Sequence, residues 1–142
     1  MLEVEPQLIE SYVNTGKMRI IVRPLLQTGE DTLLAAHAAA CAGEQQRYFT
    51  MRSAIYASQG DLYMAEDMGQ ALQQLAQDIG IDTGAFASCM QQDAYRIPLI
   101  TQYTLAKESG IVARPVFEIN GQRIIGAQPF PQFQLVIDAL VQ

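Results

Sequence analysis

The sequence predicts an α/β fold in which a block of helices interrupts a small sheet. Three observations predict it. Near the C-terminus, Pro115 opens an apolar run to Ile119, Asn120-Gly121 follows, and Gln122 to Gly126 forms a second run. Asn-Gly between two such runs is the strongest short hairpin signal, because both residues tolerate positive φ. Near the N-terminus, Lys17 to Leu25 (KMRIIVRPL) alternates and is rich in β-branched residues, which predicts a strand ending near Pro24. Between these regions, from Asp31 to Ser109, apolar residues recur at helical spacing almost without pause.

In chain order, Val4, Leu8, Ile9, Tyr12 and Val13 mark a first helix that Gly16 stops. Thr28-Gly29 breaks the chain after the predicted strand. Leu34, His37, Ala38 and Cys41 then share one helical face. Tyr48, Arg52, Ile55 and Tyr56 belong to a second helix of the block, or to a bent continuation after Gly43. Met64, Met68, Ala71, Leu72, Leu75 and Ile79 mark a third, stopped by Gly80. Asp82 suits the N-cap of a fourth, which carries Phe86, Cys89 and Met90. Pro98 opens a fifth, with Ile100, Tyr103 and Lys107 before Gly110. After Pro129 and Pro131, a closing helix sets Phe133, Val136, Ile137, Leu140 and Val141 on one face. No internal repeat is visible.

Composition narrows the function classes. A chain of 142 residues that is 49% hydrophobic can bury one core without staples. A net charge of −6, with pI near 4.6, leaves nothing to neutralise phosphates, so no nucleic-acid partner is expected. No membrane partner is expected either, because no apolar stretch approaches the roughly 20 residues that span a bilayer. Met1 leads into LEVEPQLIESYV, an amphipathic pattern, so no signal peptide is expected.

The chemistry-bearing residues are few. Cys41 and Cys89 are both predicted mid-helix on apolar faces, and two cysteines do not make a disulfide scaffold. Taken alone they allow two buried, inert thiols, a disulfide between helices, or a catalytic pair. His37, the only histidine, shares a face with Leu34 and Cys41. It reads as a core or rim residue with its polar atoms satisfied, since no orienting acid is evident for a His–Cys nucleophile. One histidine and two cysteines far apart in sequence do not build a tetrahedral cage, so no metal site is expected. Met64, Met68 and Met90 sit at core spacing and fill gaps. Glu66 and Asp67 fall on a solvated face, and no paired-carboxylate site, phosphate loop or nucleophile elbow is present. No cofactor is expected.

The segments carry a resemblance. EVEPQLIESYVNTGKMRIIVRPL resembles the stretch just after the active site of DsbA-like thiol–disulfide oxidoreductases. LLAAHAAACAGEQQRYFTMRSAIY resembles the start of their inserted helical domain. IDTGAFASCMQQDAY and VARPVFEINGQRIIGAQPFPQFQLVIDAL resemble its later helices and the closing hairpin. The resemblance covers essentially the whole chain, and the Asn-Gly hairpin with GAQPF behind it is its most specific part. It implies a thioredoxin-like sheet with an inserted α-helical domain: residues 1–30 and 110–142 in the core, 31–109 in the insertion. It implies a substrate groove at Arg114 and Pro115 with a cis proline, thiol-containing or unfolded protein substrates, and a periplasmic or other extracytoplasmic setting. Relatives often carry cysteines at both places, which implies a structural disulfide between Cys41 and Cys89. In the chain-entropy model such a bond is worth about 3–4 kcal/mol for a loop of roughly 48 residues.

Departures from the family matter as much. There, a central strand runs into Cys-Pro-x-Cys at the N-terminus of the first helix, where the helix end favours a thiolate. This sequence opens inside the matching helix and contains no Cys-x-x-Cys, so the fold is expected to be N-terminally truncated. Arg114 stands where relatives carry a small or β-branched residue. Exchange needs an attacking thiolate, so no catalytic residue is assigned, and whether the chain is an enzyme stays open. Two readings follow: a chain of oxidoreductase lineage without redox catalysis of its own, or a stand-alone peptide-binding or self-associating module. The family strand without a match lies between Lys17–Leu25 and Pro115–Ile119. Those two strands are expected to pair directly or to be completed by a second copy, and a homodimer is the favoured partner.

Overall fold

A computed structural model describes residues 3–26 and 29–141. Its helices are α1 (Val4–Leu8), which runs into a π-helical turn over Ile9–Val13, then α2 (Glu30–Gly43), α3 (Tyr48–Ala57), α4 (Gln59–Met64), α5 (Met68–Asp78), α6 (Thr83–Gln92), α7 (Arg96–Glu108) and α8 (Phe130–Asp138). Strands β1 (Val116–Ile119) and β2 (Gln122–Ile125) lie between α7 and α8. The chain divides into two compact units. One runs from Pro24 to Leu105; the other combines the residues up to Arg23 with those from Ala106 onward.

The unit from Pro24 to Leu105 is helical, and α2 is its centre. Ala35, Ala38, Ala39 and Ala42 give α2 a surface of small side chains, so other helices can approach its axis closely. Met51 from α3, Leu72 from α5 and Phe86 from α6 fill the space around it, each at most 1% exposed. The starts of α5 and α6 are capped by side chains. Asp67 accepts from the Gln70 N–H at 3.0 Å to open α5, and Asp82 accepts from the Ala85 N–H at 2.8 Å to open α6. The helix expected to run unbroken from Met64 is therefore two: α4 ends at Met64, Ala65 is extended, and the Asp67 cap starts α5. Met64 is 85% exposed, so its match to the helical period did not mean burial. The last helix of this block starts at Arg96 rather than Pro98. Pro98 then sits in the first turn, where a missing N–H costs nothing.

The other unit is built on a hairpin. β1 and β2 pair antiparallel in the register Val116↔Ile125, Phe117↔Ile124, Glu118↔Arg123 and Ile119↔Gln122. Asn120 (φ 46°) and Gly121 (φ 86°) turn the chain with both central residues at positive φ, as a two-residue hairpin loop requires. Phe117, Ile119 and Ile124 pack against a cluster of Leu8, Tyr12, Phe133 and Ile137, which joins the first helical segment to α8. The Phe117 and Phe133 rings meet edge to face at 4.6 Å. The buried Tyr12 hydroxyl donates to Asp138 Oδ1 at 2.7 Å.

The strand expected over Lys17–Leu25 does not form. Among the described residues the one sheet has two strands, β1 and β2, so the expected direct pairing of Lys17–Leu25 with Pro115–Ile119 is absent as well. The alternation is nonetheless real. Met18, Ile20 and Val22 are half-buried, while Lys17, Arg19, Ile21 and Arg23 are exposed, and Met18 and Ile20 pack on the Leu8–Phe133 cluster. A period of two reports which side chains face inward. A strand needs in addition a neighbour for its N–H and C=O groups, and residues 19–23 have none among the described residues.

Candidate functional site

The residues singled out by sequence fall in two places, one in each unit. The first is the loop before β1. Arg114 is exposed, Pro115 is half-buried, and the peptide bond between them is cis. Pro115 C=O accepts from the Gly126 N–H at 2.9 Å, tying this loop to the end of β2. Gly126 sits at φ 83°, a conformation side chains rarely adopt. The loop's conformation is thus fixed by the hairpin beneath it. No ion pair holds Arg114 among the described residues, so its guanidinium is presented to solvent.

The second place is inside the helical unit. Cys41 of α2 and Cys89 of α6 are joined by a disulfide, with an S–S distance of 2.13 Å and Cα atoms 5.7 Å apart. Both are buried, at 1% and 5% exposure. Neither sulfur in this state is a nucleophile, because exchange requires a thiolate.

His37 stands one turn before Cys41 on α2 and is 2% exposed. A ring nitrogen of His37 and the two sulfurs lie within 4.8 Å of one another. The expected closeness of Cys41 and Cys89 is thus met, helix packing closing 48 residues of sequence; it also removes the reason for setting them apart from His37, which was their distance in sequence. Nor is His37 satisfied. Its Nδ1 is 3.6 Å from Asp93 Oδ1, beyond hydrogen-bond length, and its buried Nε2 has no partner among the described residues. Burial holds the imidazole below its ordinary pKa; Asp93 opposes that shift and Arg96 adds to it.

Three neighbours were not singled out by sequence. Glu44, at the C-cap of α2, brings Oε1 to 3.6 Å from Cys89 Sγ. In the disulfide that sulfur carries no proton, so this is a contact; a reduced Cys89 would be able to donate there. Tyr95 donates its hydroxyl to the same Glu44 oxygen at 2.9 Å, and its ring lies 6.1 Å from that of His37. Glu44, followed by burial, raises the Tyr95 pKa. Asp93 is held beside His37 by a left-handed turn (φ 55°) that ends α6. A signal for two of them was present in the spacing. His37, Cys41 and Glu44 recur at i, i+4 and i+7, one helical face, and Asp93 follows Cys89 by four.

Comparisons with known proteins agree on the lineage. The chain is 26% identical over 117 residues to "Putative protein-disulfide oxidoreductase RP025" of Rickettsia prowazekii (strain Madrid E), a match covering 82% of this chain and 43% of that protein. It is also 26% identical over 117 residues to the protein of the same description, RC0029, of Rickettsia conorii (strain ATCC VR-613 / Malish 7), covering 82% and 42%. The match thus spans less than half the length of these curated relatives. Among solved structures, the chain is similar to the thiol-disulfide exchange protein alpha-DsbA2 from Wolbachia pipientis, with a TM-score of 0.79 and 22% identity, covering 98% of this chain and 72% of that one. That likeness establishes a thioredoxin-like fold with a large helical part and a small antiparallel sheet. With the thioredoxin family model matching residues 1–139, the chain belongs to the thioredoxin family.

Proposed function

We propose that this chain supplies the proline loop and the helical subdomain of a DsbA-like thiol–disulfide oxidoreductase, and that these residues alone do not carry out exchange. The observation that carries the reading is the loop at Arg114 and Pro115, in which a half-buried proline feeds directly into β1 and its carbonyl accepts from the Gly126 N–H. Such a loop offers main-chain groups to an extended segment of an unfolded or thiol-containing protein. Arg114 sets a cation at its lip and favours acidic segments. Catalysis by the Cys-x-x-Cys route needs a thiolate at a helix N-terminus, and the two cysteines present are buried and bonded to each other. Purified chain is expected to show no insulin reduction and no oxidation of a dithiol peptide. An acidic extended peptide is expected to shift the NMR signals of residues 113–118, and Arg114→Glu to weaken that binding. Turnover abolished by Cys41→Ala would overturn the first part; peptide binding indifferent to Arg114→Glu would overturn the second.

A second reading, a self-associating module, is favoured by one observation. The outer edge of β1 and residues 19–23 have unpaired backbone groups among the described residues, and such edges recruit further strands. The occupant in this reading is a second copy of the chain. Light scattering across a tenfold dilution decides it: a mass steady at 15.7 kDa rules the dimer out.

A further inference from the structure

We propose that the helical unit holds a redox-gated site for a thiophilic divalent cation such as Zn²⁺, closed while Cys41 and Cys89 are bonded and opened when they are reduced. It does not rest on the chain's part in thiol exchange.

Two independent observations carry it. The first is the donor set: two sulfurs and an imidazole nitrogen within 4.8 Å of one another, with the Glu44 carboxylate 3.6 Å from Cys89 Sγ. Two thiolates, one imidazole and one carboxylate are a ligand set Zn²⁺ accepts in tetrahedral geometry. The second is His37 itself. It is 2% exposed, yet Nε2 has no hydrogen-bond partner among the described residues. A buried, unpartnered polar atom is costly to keep, and a metal ion is one thing that would use it. Asp93, 3.6 Å from Nδ1, stands where a carboxylate commonly orients a ligating histidine. Glu44 is exposed, while the other three members of the set are buried.

The chemistry balances with a dithiol as reductant. The dithiol transfers two electrons and two protons to the Cys41–Cys89 bond and becomes a disulfide, leaving two thiols. Zn²⁺ then displaces both protons and is bound by two thiolates, the neutral imidazole and the carboxylate. Thiolates sharing a tetrahedral Zn²⁺ at bonds of about 2.3 Å stand about 3.8 Å apart, so the sulfurs must move apart once the bond between them is reduced. Rotation about the two Cα–Cβ bonds can provide that opening.

The test uses the full chain, oxidised or reduced with a phosphine, titrated with Zn²⁺ against a chromogenic chelator. One equivalent is expected to bind to the reduced chain and none to the oxidised chain. Co²⁺ in place of Zn²⁺ should give tetrahedral d–d bands and thiolate charge-transfer absorption. His37→Ala should weaken Zn²⁺ at least about tenfold, the scale on which even outer partners act, and Glu44→Gln should weaken it several-fold. Glu44 is exposed and Gln can still accept from Tyr95, so Glu44→Gln carries the test if His37→Ala does not fold. If the reduced, metal-free chain loses helicity, Zn²⁺ should restore it. Equal binding by the oxidised chain, no stoichiometric binding by the reduced chain, indifference to Glu44→Gln when that variant is the one that folds, or failure of Zn²⁺ to restore lost helicity overturns the site.

Discussion

The two units of this chain are stabilised by different means. The helical unit buries fourteen residues in one cluster around α2, adds a second cluster of Leu26, Leu33 and Leu99, and carries a covalent cross-link through its centre. Among the described residues, the apolar cluster of the hairpin unit has four buried members, Leu8, Tyr12, Phe133 and Ile137, with partly buried neighbours around them. Its short sheet leaves backbone groups unpaired among the described residues, on the outer edge of β1 and along residues 19–23. Apolar burial is the main favourable term in folding, so the helical unit should hold most of the stability. The hairpin unit, less buried, keeps the exposed loop at Arg114 and Pro115. Stable scaffold and exposed loop are thus separated along the sequence.

The strongest way to break this contrast is to open the cross-link. Reducing Cys41–Cys89 in the presence of a chelator is expected to cost about 3–4 kcal/mol for a loop of roughly 48 residues. Urea unfolding of oxidised and reduced chain gives the total. Amide exchange then shows where it falls: protection should drop at Leu72 and Ala76, and stay nearly unchanged at Phe133 and Ile137. A uniform drop over both sets would mean that the units unfold as one, and the contrast drawn above would fail.

What sequence reasoning made legible follows the same division. The helical periods, the Asp82 cap and the Asn-Gly turn were readable because each depends on neighbours within a few residues. Lys17–Leu25 misled for the opposite reason. Its alternation correctly marks Met18, Ile20 and Val22 as the inward side, but pairing depends on a distant partner that local pattern cannot supply. The site in the helical unit was half legible. The i, i+4, i+7 spacing of His37, Cys41 and Glu44 lay open to inspection, whereas the closure of α6 onto α2 that brings Cys89 to them is a tertiary fact. Local pattern gave Pro115 as the opening of a strand, whereas the groove at Arg114 and Pro115 was implied only by the family resemblance.

A smaller effect sharpens the account of the hairpin unit. The Tyr12 hydroxyl ties the first helical segment to α8 through Asp138. Tyr12→Phe keeps the ring in its buried place and removes one charge-assisted hydrogen bond. Asp138 is exposed and can be rehydrated, so the cost is expected at the low end for bonds to charged groups, about 1.5 kcal/mol. Its pH dependence has a definite sign. Burial, together with the bond to and the charge of Asp138, raises the Tyr12 pKa above the ordinary 10.0. The folded chain therefore keeps a proton that the unfolded chain gives up, and this stability is fully present below pH about 10 and lost as pH rises through the raised value. Urea midpoints should show wild type ahead of Tyr12→Phe at pH 8, with the lead shrinking above pH 10. A constant lead would show that Tyr12 titrates alike in the folded and the unfolded chain, so that folding does not raise its pKa.

The smallest effect is expected at the hairpin's own ion pair, and its smallness is informative. Glu118 and Arg123 stand directly opposite in the ladder, and Arg123 donates from Nε at 3.2 Å and from Nη2 at 2.6 Å to Glu118 Oε1. The geometry is close, but the side chains are 50% and 39% exposed, so water and salt screen the pair. A double-mutant cycle with Glu118→Gln and Arg123→Gln should therefore give a coupling of only about 0.2–0.5 kcal/mol, fading in high salt. The hairpin would then owe its register to the Asn120-Gly121 turn and to Phe117 and Ile124 packing on Phe133 and its neighbours. A salt-insensitive coupling well above about 1 kcal/mol would reverse that order. It would place the hold on the loop at Pro115 in the strand surface rather than in the apolar cluster beneath it.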